Sequence, residues 1–100
     1  MTTPEIIGTS GAGFATNPAF RALLTDASDA TGADLDVLLE DATDMEWLIV
    51  PGPRDEPQAL AAYRRLDAYA VEIEYLAVAP AIRRQGVARA LVDRVQARSR

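Results

Sequence analysis

The chain has 100 residues, of which 49% are hydrophobic and 25% are charged, and its net charge at pH 7 is −5. This length and composition are typical of one globular domain with a single modest core. No apolar run approaches the ~18 residues of a membrane-spanning helix. Residues 1–8 contain neither the basic residues nor the long apolar stretch of a signal peptide. We therefore expect a cytoplasmic protein with no membrane partner.

Three reactive residue types do not occur in the sequence, which contains no His, no Cys and no Lys. A Ser-His-Asp triad, a cysteine nucleophile, a thiolate or imidazole zinc site and a Schiff-base lysine are therefore excluded within this chain. We expect no metal. Any general base must be a carboxylate, or else a tyrosine or the amino terminus.

The charge is unevenly distributed along the chain. Residues 1–60 contain eleven acidic residues and two arginines, a balance of −9, whereas residues 61–100 contain eight arginines and four acidic residues, a balance of +4. The acidic part argues against binding to nucleic acid. The basic part is suited to a small polyanion, although an arginine-rich helix in solvent explains the same charges.

Helix and strand patterns follow one another along the chain. Asn17-Pro18 is typical of an N-cap followed by proline at the first helical position. The Ala and Leu content of 59–69 suits a helix, but its place between a turn and a strand favours a strand. In chain order we predict a strand at Glu5–Ile7, a glycine-rich loop at 8–13, helices at 18–28 and Asp34–Asp41, a strand at Trp47–Val50, a turn at 51–57, strands at 59–69 and Val71–Val78, and a helix from Arg84 onward.

The strand Val71–Val78 has the clearest alternation. Strict alternation places Glu72 and Glu74 on one face, together with Leu76 and Val78, and places on the other face the residues Val71, Ile73, Tyr75 and Ala77.

A candidate phosphate site follows this strand. The strand ends before Pro80, a short loop leads to Gly86, and Gly86 lies at the start of the arginine-rich helix. A helix N-terminus offers unpaired N–H groups and a positive dipole, which together bind a phosphate. Gly86 leaves room for close backbone approach, and positive charge nearby is supplied by Arg83, Arg84 and Arg89.

At this point the sequence resembles the GNAT superfamily of acyl-CoA-dependent N-acetyltransferases. The family pattern is Gln or Arg, two residues, Gly, one residue, and Gly or Ala, and here it is Arg83-Arg84-Gln85-Gly86-Val87-Ala88. The resemblance implies an α/β fold, a GNAT-type mixed sheet with flanking helices, as one partial domain over 1–100 that ends after the cofactor-binding helix. It implies acetyl-CoA as co-substrate and direct attack by a primary amine.

The resemblance also implies roles for individual residues. The backbone amides from Arg84 to Arg89 would grip the CoA pyrophosphate, and the backbone of 76–78 would pair with the pantetheine arm and polarise the thioester carbonyl. The full set of cofactor-binding residues that it implies is Leu76, Ala77, Val78, Arg83, Arg84, Gln85, Gly86, Val87, Ala88 and Arg89.

Two glutamates are the candidates for the general base. Glu72 matches the catalytic glutamate of the family's histone-modifying members, and Glu74 is the second candidate. A base is needed because a protonated amine is not a nucleophile. The alternative is that both side chains form the exposed polar face of an edge strand.

The resemblance covers the N-terminal two-thirds of a family domain. The strand, helix and hairpin that follow in the family, together with its general-acid tyrosine, have no counterpart here. We therefore expect a homodimer or a complementing C-terminal segment. The alternatives are a non-catalytic CoA-binding or interaction module and an inactive fragment of a longer acetyltransferase. The acidic stretch from Asp26 to Asp36 favours a cationic amine acceptor, or is simply a solvated helix surface.

Overall fold

A computed structural model describes residues 5–9, 16–30, 32–41 and 45–98. Its elements in chain order are β1 Ile7–Thr9, α1 Pro18–Ser28, α2 Gly32–Asp41, β2 Glu46–Pro51, β3 Pro57–Arg65, β4 Val71–Val78 and α3 Val87–Arg98, with short 3-10 turns at Pro53–Asp55 and Pro80–Ile82. The predicted α/β fold is confirmed.

The four strands form one antiparallel sheet in the order β1-β2-β3-β4. The region from 57 to 65 is a strand, which confirms the choice of strand over helix there. The strand ends at Arg65 rather than at the predicted Tyr69, because the chain turns at 66–70, where the N–H of Leu66 donates to the carbonyl oxygen of Ala70. β1 begins at Ile7 rather than at the predicted Glu5, because its limits are set by pairing with Trp47–Ile49 of β2. Gly8 and Thr9 of the predicted glycine-rich loop belong to β1, and the rest of that loop, residues 10–13, lies outside the described residues.

Local sequence explains where the first helix begins. The side-chain oxygen of Asn17 accepts hydrogen bonds from the N–H groups of Ala19 (2.9 Å) and Phe20 (3.2 Å), as an N-cap residue does. The helix then buries Phe20, Leu23 and Leu24 against the sheet. Among the described residues, no helix is long and apolar enough to span a membrane.

The sheet has a hydrophobic core on each face. On one face, α1 and α2 cover a cluster that includes Trp47, Ile49 and Leu60. On the other face, α3 contributes Val87, Leu91 and Val95 to a cluster with residues of β2 and β3: Leu48, Val50, Ala59, Ala61 and Tyr63. β2 and β3 are therefore buried on both faces.

One irregularity in β4 overturns the predicted alternation. Tyr75 lies opposite Ala62, and Ile73 lies opposite Tyr63, so Glu74 is an extra residue with no partner position on β3. Such a bulge changes the face on which the following residues lie. Strict alternation across Val71–Val78 is therefore wrong: Val71, Ile73 and Val78 pack with the α3 core, whereas Tyr75 and Ala77 pack with the α1 core.

Candidate functional site

The outer edge of β4 has backbone groups that point away from the sheet. The N–H of Ala79 donates to the carbonyl oxygen of Gln58 at 2.7 Å. In an antiparallel pair, the backbone N–H and C=O groups of successive residues point alternately toward the partner strand and away from it. The N–H and C=O of Val78 and of Leu76 therefore point away from β3, whereas those of Ala77 point toward it. In the described part of the chain, no strand pairs with this outer edge.

The two candidate glutamates lie on either side of a change in register. Glu72 lies opposite Arg64 and before the bulge, and its side chain is exposed. Glu74 is the bulged residue and is half-buried. Their predicted position on one common face came from strict alternation, which the bulge breaks. The register places Glu72 on the same face as Tyr75 and Ala77, where we had expected the opposite face.

The loop after β4 turns sharply before α3 begins. Arg84 and Gly86 both have left-handed backbone angles, with φ of 67° and 77°, so α3 begins at Val87 rather than at the predicted Arg84. The carbonyl of Gly86 accepts the N–H of Ala90 at 3.0 Å, so Gly86 is the residue immediately before the first helical turn. A Cβ built on Gly86 would meet no atom within 4 Å, so the backbone is open to approach there. The first N–H groups of α3 have no acceptor within the helix.

The side chains of the motif are mostly exposed around this helix start. Val87 is the exception, because it is buried in the α3 core and its side chain holds the helix on the sheet. The exposed ones are Arg83, Arg84, Gln85, Ala88 and Arg89. The structure thus brings all the motif residues to one end of β4, where the open backbone at Gly86 and the exposed side chains of three arginines lie near the start of α3.

Arg83 and Arg89 each contact a polar group of the protein. Arg83 donates from Nε to the carbonyl oxygen of Val78 at 2.9 Å, and its Nη2 lies 3.7 Å from Oδ2 of Asp26 on α1. Arg89 pairs with Asp93, one turn further along α3, at 3.2 Å.

Comparison with known proteins identifies the family to which this arrangement belongs. The model of the Acetyltransferase (GNAT) family matches residues 17–100, most of the chain. The chain belongs to the GNAT acetyltransferase family. The resemblance drawn from the hexad at 83–88 is therefore confirmed. No curated protein matches the sequence.

Solved structures show the same GNAT fold. A GNAT family acetyltransferase from Elizabethkingia anophelis with acetyl-CoA bound is 19% identical, with a TM-score of 0.72 over 99% of this chain and 59% of that one. A protein assigned to the GNAT family from Desulfovibrio desulfuricans is 18% identical, with a TM-score of 0.63 over 95% of this chain and 66% of that one. The chain thus spans less than two thirds of the length of either structure.

The GNAT domain also has a concave surface that sequence reasoning did not find. A cavity of about 560 Å³ lies between α1, the turn after β2 and the end of β4. Asp26 and Ala79 line it, together with Arg54, whose backbone is left-handed at φ 61°. No local sequence signal announces this cavity, because its walls come from three separate stretches of the chain.

A polar cluster at the opposite end of the sheet was also missed. The buried Tyr63 donates its hydroxyl to Glu46. Burial raises the pKa of Tyr63 above its usual value of 10.0, Glu46 raises it further, and Arg98 opposes the increase. Arg65 donates to the backbone carbonyl of Arg98 at 2.7 Å, which ties the last turn of α3 to β3. Among the described residues, no group of three or more acidic side chains could hold a metal ion.

Proposed function

We propose that this GNAT domain transfers an acetyl group from acetyl-CoA to a primary amine. The observation that carries the proposal is that the open edge of β4 runs directly into Gly86 and the N-terminus of α3. If an extended ligand pairs with the outer edge of β4, a phosphate group at the end of that ligand lies at the N-terminus of α3. Few other ligands combine a long amide-containing arm with a pyrophosphate.

The residues present fit such a ligand. Leu76 and Val78 offer backbone groups to the pantetheine amides, and Ala77 spaces them because its own groups face β3. The open backbone at Gly86 and the unpaired N–H groups of the first turn of α3 suit the pyrophosphate. The remaining motif residues that would surround the pyrophosphate are Arg83, Arg84, Gln85, Val87, Ala88 and Arg89.

Glu72 is the proposed general base, with Glu74 as the second candidate. Acetyl-CoA supplies an acyl group activated as a thioester. Glu72 takes a proton from the substrate ammonium, directly or through water, so that the nitrogen lone pair attacks the carbonyl carbon. The C–N bond forms as the C–S bond breaks, CoA leaves as the thiolate, and the second proton that the nitrogen loses as the amide forms passes through solvent to that thiolate. An outward N–H of β4 donates to the carbonyl oxygen and stabilises the charge that develops on it.

The acceptor class is proposed from charge. The acidic first part of the chain attracts cations, so we propose a cationic amine as acceptor. Asp36 is not part of the proposed acceptor site, because it pairs with Arg21 at 2.8 Å and so links α2 to α1. Faster acetylation of polyamines or aminoglycosides than of amines that carry a carboxylate would support the proposal, and the reverse order would contradict it.

Replacing Gly86 tests the cofactor site. Gly86→Glu places a carboxylate where phosphate is proposed to bind, at a cost of several kcal/mol, so the Kd for CoA should rise more than about 100-fold. Gly86→Ala is the matched control, because it introduces only the backbone strain of a Cβ at φ 77°, about 1 kcal/mol.

The measurement is calorimetric titration with CoA, after circular dichroism has shown that both variants fold. Equal affinities for Gly86→Glu and Gly86→Ala would contradict the assignment of the phosphate to this helix start.

A CoA-binding module without turnover is the second candidate. The proposed binding uses only the stretch from Leu76 to Arg89, whereas turnover also needs a base and a site for the acceptor amine. CoA affinity in the micromolar range with no release of free thiol from acetyl-CoA, for any amine tested, would favour this candidate.

A further inference from the structure

The side chain of Arg83 lies across the end of the proposed cofactor edge. Its Nε donates to the carbonyl oxygen of Val78 at 2.9 Å, and that carbonyl points outward from β4. The guanidinium therefore occupies the space from which an incoming amide N–H would reach Val78. The guanidinium of Arg83 thus occupies the position in which the proposed function requires an amide of the pantetheine arm.

Asp26 lies near another nitrogen of the same guanidinium. Asp26 belongs to α1, 57 positions earlier in the chain, and its Oδ2 lies 3.7 Å from Nη2 of Arg83. Both side chains are more than half exposed, at 57% and 56%. The same carboxylate offsets the positive charge that Arg83 would otherwise present to a phosphate.

We propose that Asp26 is a positioning residue that holds Arg83 against Val78, and that this contact opens when acyl-CoA binds. The inference rests on the proposed function. Opening exchanges two contacts within the protein for two with the ligand. The Val78 carbonyl accepts from the pantetheine arm, and the freed guanidinium turns to the pyrophosphate, where a charge-assisted hydrogen bond is stronger than the exposed ion pair that it replaces.

The size and the direction of the effect follow from the exposure of the pair. An ion pair between exposed side chains changes an equilibrium by up to about fivefold. Removing the charge of Asp26 should therefore make CoA bind about two- to fivefold more tightly. A role of Asp26 in holding the loop ready for the ligand would give the opposite result, weaker binding.

The contact itself is measured on the ligand-free protein. Exchange of the Arg83 Nε–H with solvent is followed by NMR, and Arg83→Lys assigns the signal. We expect slow exchange in the wild type, faster exchange in Asp26→Asn, and wild-type exchange in Asp36→Asn. Asp36→Asn is the matched control because it breaks a different Asp–Arg pair, the one that Asp36 of α2 makes with Arg21 of α1 at 2.8 Å.

The effect on the ligand is measured by calorimetric titration with CoA at one ionic strength. Asp26→Asn should bind about two- to fivefold more tightly than the wild type, and Asp26→Glu and Asp36→Asn should bind as the wild type does. Equal or weaker binding by Asp26→Asn, with CoA bound by every variant, overturns the inference alone. Absence of CoA binding in every variant overturns the proposed function and the role of this contact with it, even if the exchange data show the contact.

Discussion

β3 and β4 are neighbours in the sheet, but they are built differently. On β3, the five consecutive residues from Ala59 to Tyr63 are fully buried. On β4, Ala77 is the one residue of the strand that is buried, and the strand carries two glutamates, a bulge and an open edge. The difference indicates that β3 stabilises the fold, whereas β4 is the exposed strand that we propose binds the cofactor. Stability and activity should therefore respond to different substitutions.

The largest expected effect is the loss of activity caused by a substitution on β4. Glu72→Gln keeps the shape of the side chain and removes the proposed base, so the acetylation rate should fall about 10²–10⁴-fold. Stability should change by no more than about 0.5 kcal/mol, because the side chain is exposed. The rate is measured by thiol release from acetyl-CoA. Glu40→Gln, an exposed glutamate on α2, is the matched control.

The same assay on Glu74→Gln distinguishes the two candidates. A large loss in Glu74→Gln with an unchanged rate in Glu72→Gln would move the role to the bulged residue. Unchanged rates in both variants would show that β4 supplies no base, and that activity does not depend on the glutamates that distinguish β4 from β3.

Two leucines, one on each strand, test whether β3 contributes more to stability than β4 does. Leu60→Ala on β3 empties a fully buried position and should cost about 2–5 kcal/mol of unfolding free energy. Leu76→Ala on β4 makes the same deletion at a side chain that is 36% exposed, and should cost less than about 1 kcal/mol.

Urea denaturation measures both leucine variants. Leu60→Val replaces Leu60→Ala if the latter does not fold. Similar costs at Leu60 and Leu76 would contradict the view that β3 carries the stability and β4 does not.

The smallest effect is expected at the end of β3, where Tyr63 donates to Glu46. The raised pKa of Tyr63 means that the fold favours the neutral phenol. Its contribution to stability is therefore complete below the unfolded pKa of about 10 and is lost as pH rises through the raised folded value. Tyr63→Phe should cost about 0.5–1.5 kcal/mol at pH 7.

The test is thermal unfolding from pH 8 to pH 11. Tyr63→Phe should lose less stability than the wild type does as pH rises, so that the two curves converge. Tyr69→Phe, at a side chain that is 89% exposed, is the control. Parallel curves for the wild type and Tyr63→Phe would show that the phenol does not contribute in this way.

Sequence reasoning succeeded where structure is local and failed where it depends on distant pairing. The cap at Asn17 acts on the residues next to it, so helix α1 could be predicted. Gly86 indicated where α3 starts, although the helix predicted from Arg84 begins at Val87. The bulge at Glu74 exists because of how β4 pairs with β3, and nothing in the composition of β4 reveals it. The predicted family and the residues of the helix start followed from one hexad, which is a local signal.

Contacts between remote segments could not be predicted from the sequence either, because they too depend on how distant parts of the chain pack together. Asp26 and Arg83 come together only because α1 packs beside the end of β4. Tyr63 and Arg98 meet only because α3 returns along the sheet to β3. The candidate site was therefore predicted as a list of residues, while the contacts that position it had to come from the fold.

The aromatic contacts around β4 provide the protein with its own optical probe. Trp47 is the single tryptophan of the chain and is buried. Its ring stacks on Tyr75 of β4, with the centroids 6.4 Å apart, and lies 5.3 Å from the ring of Phe20 on α1. Its fluorescence therefore comes from one indole in an apolar environment, in contact with the strand that is proposed to bind the cofactor. A titration followed by this emission needs no label and reports on β4, and unfolding shifts the same emission to the red.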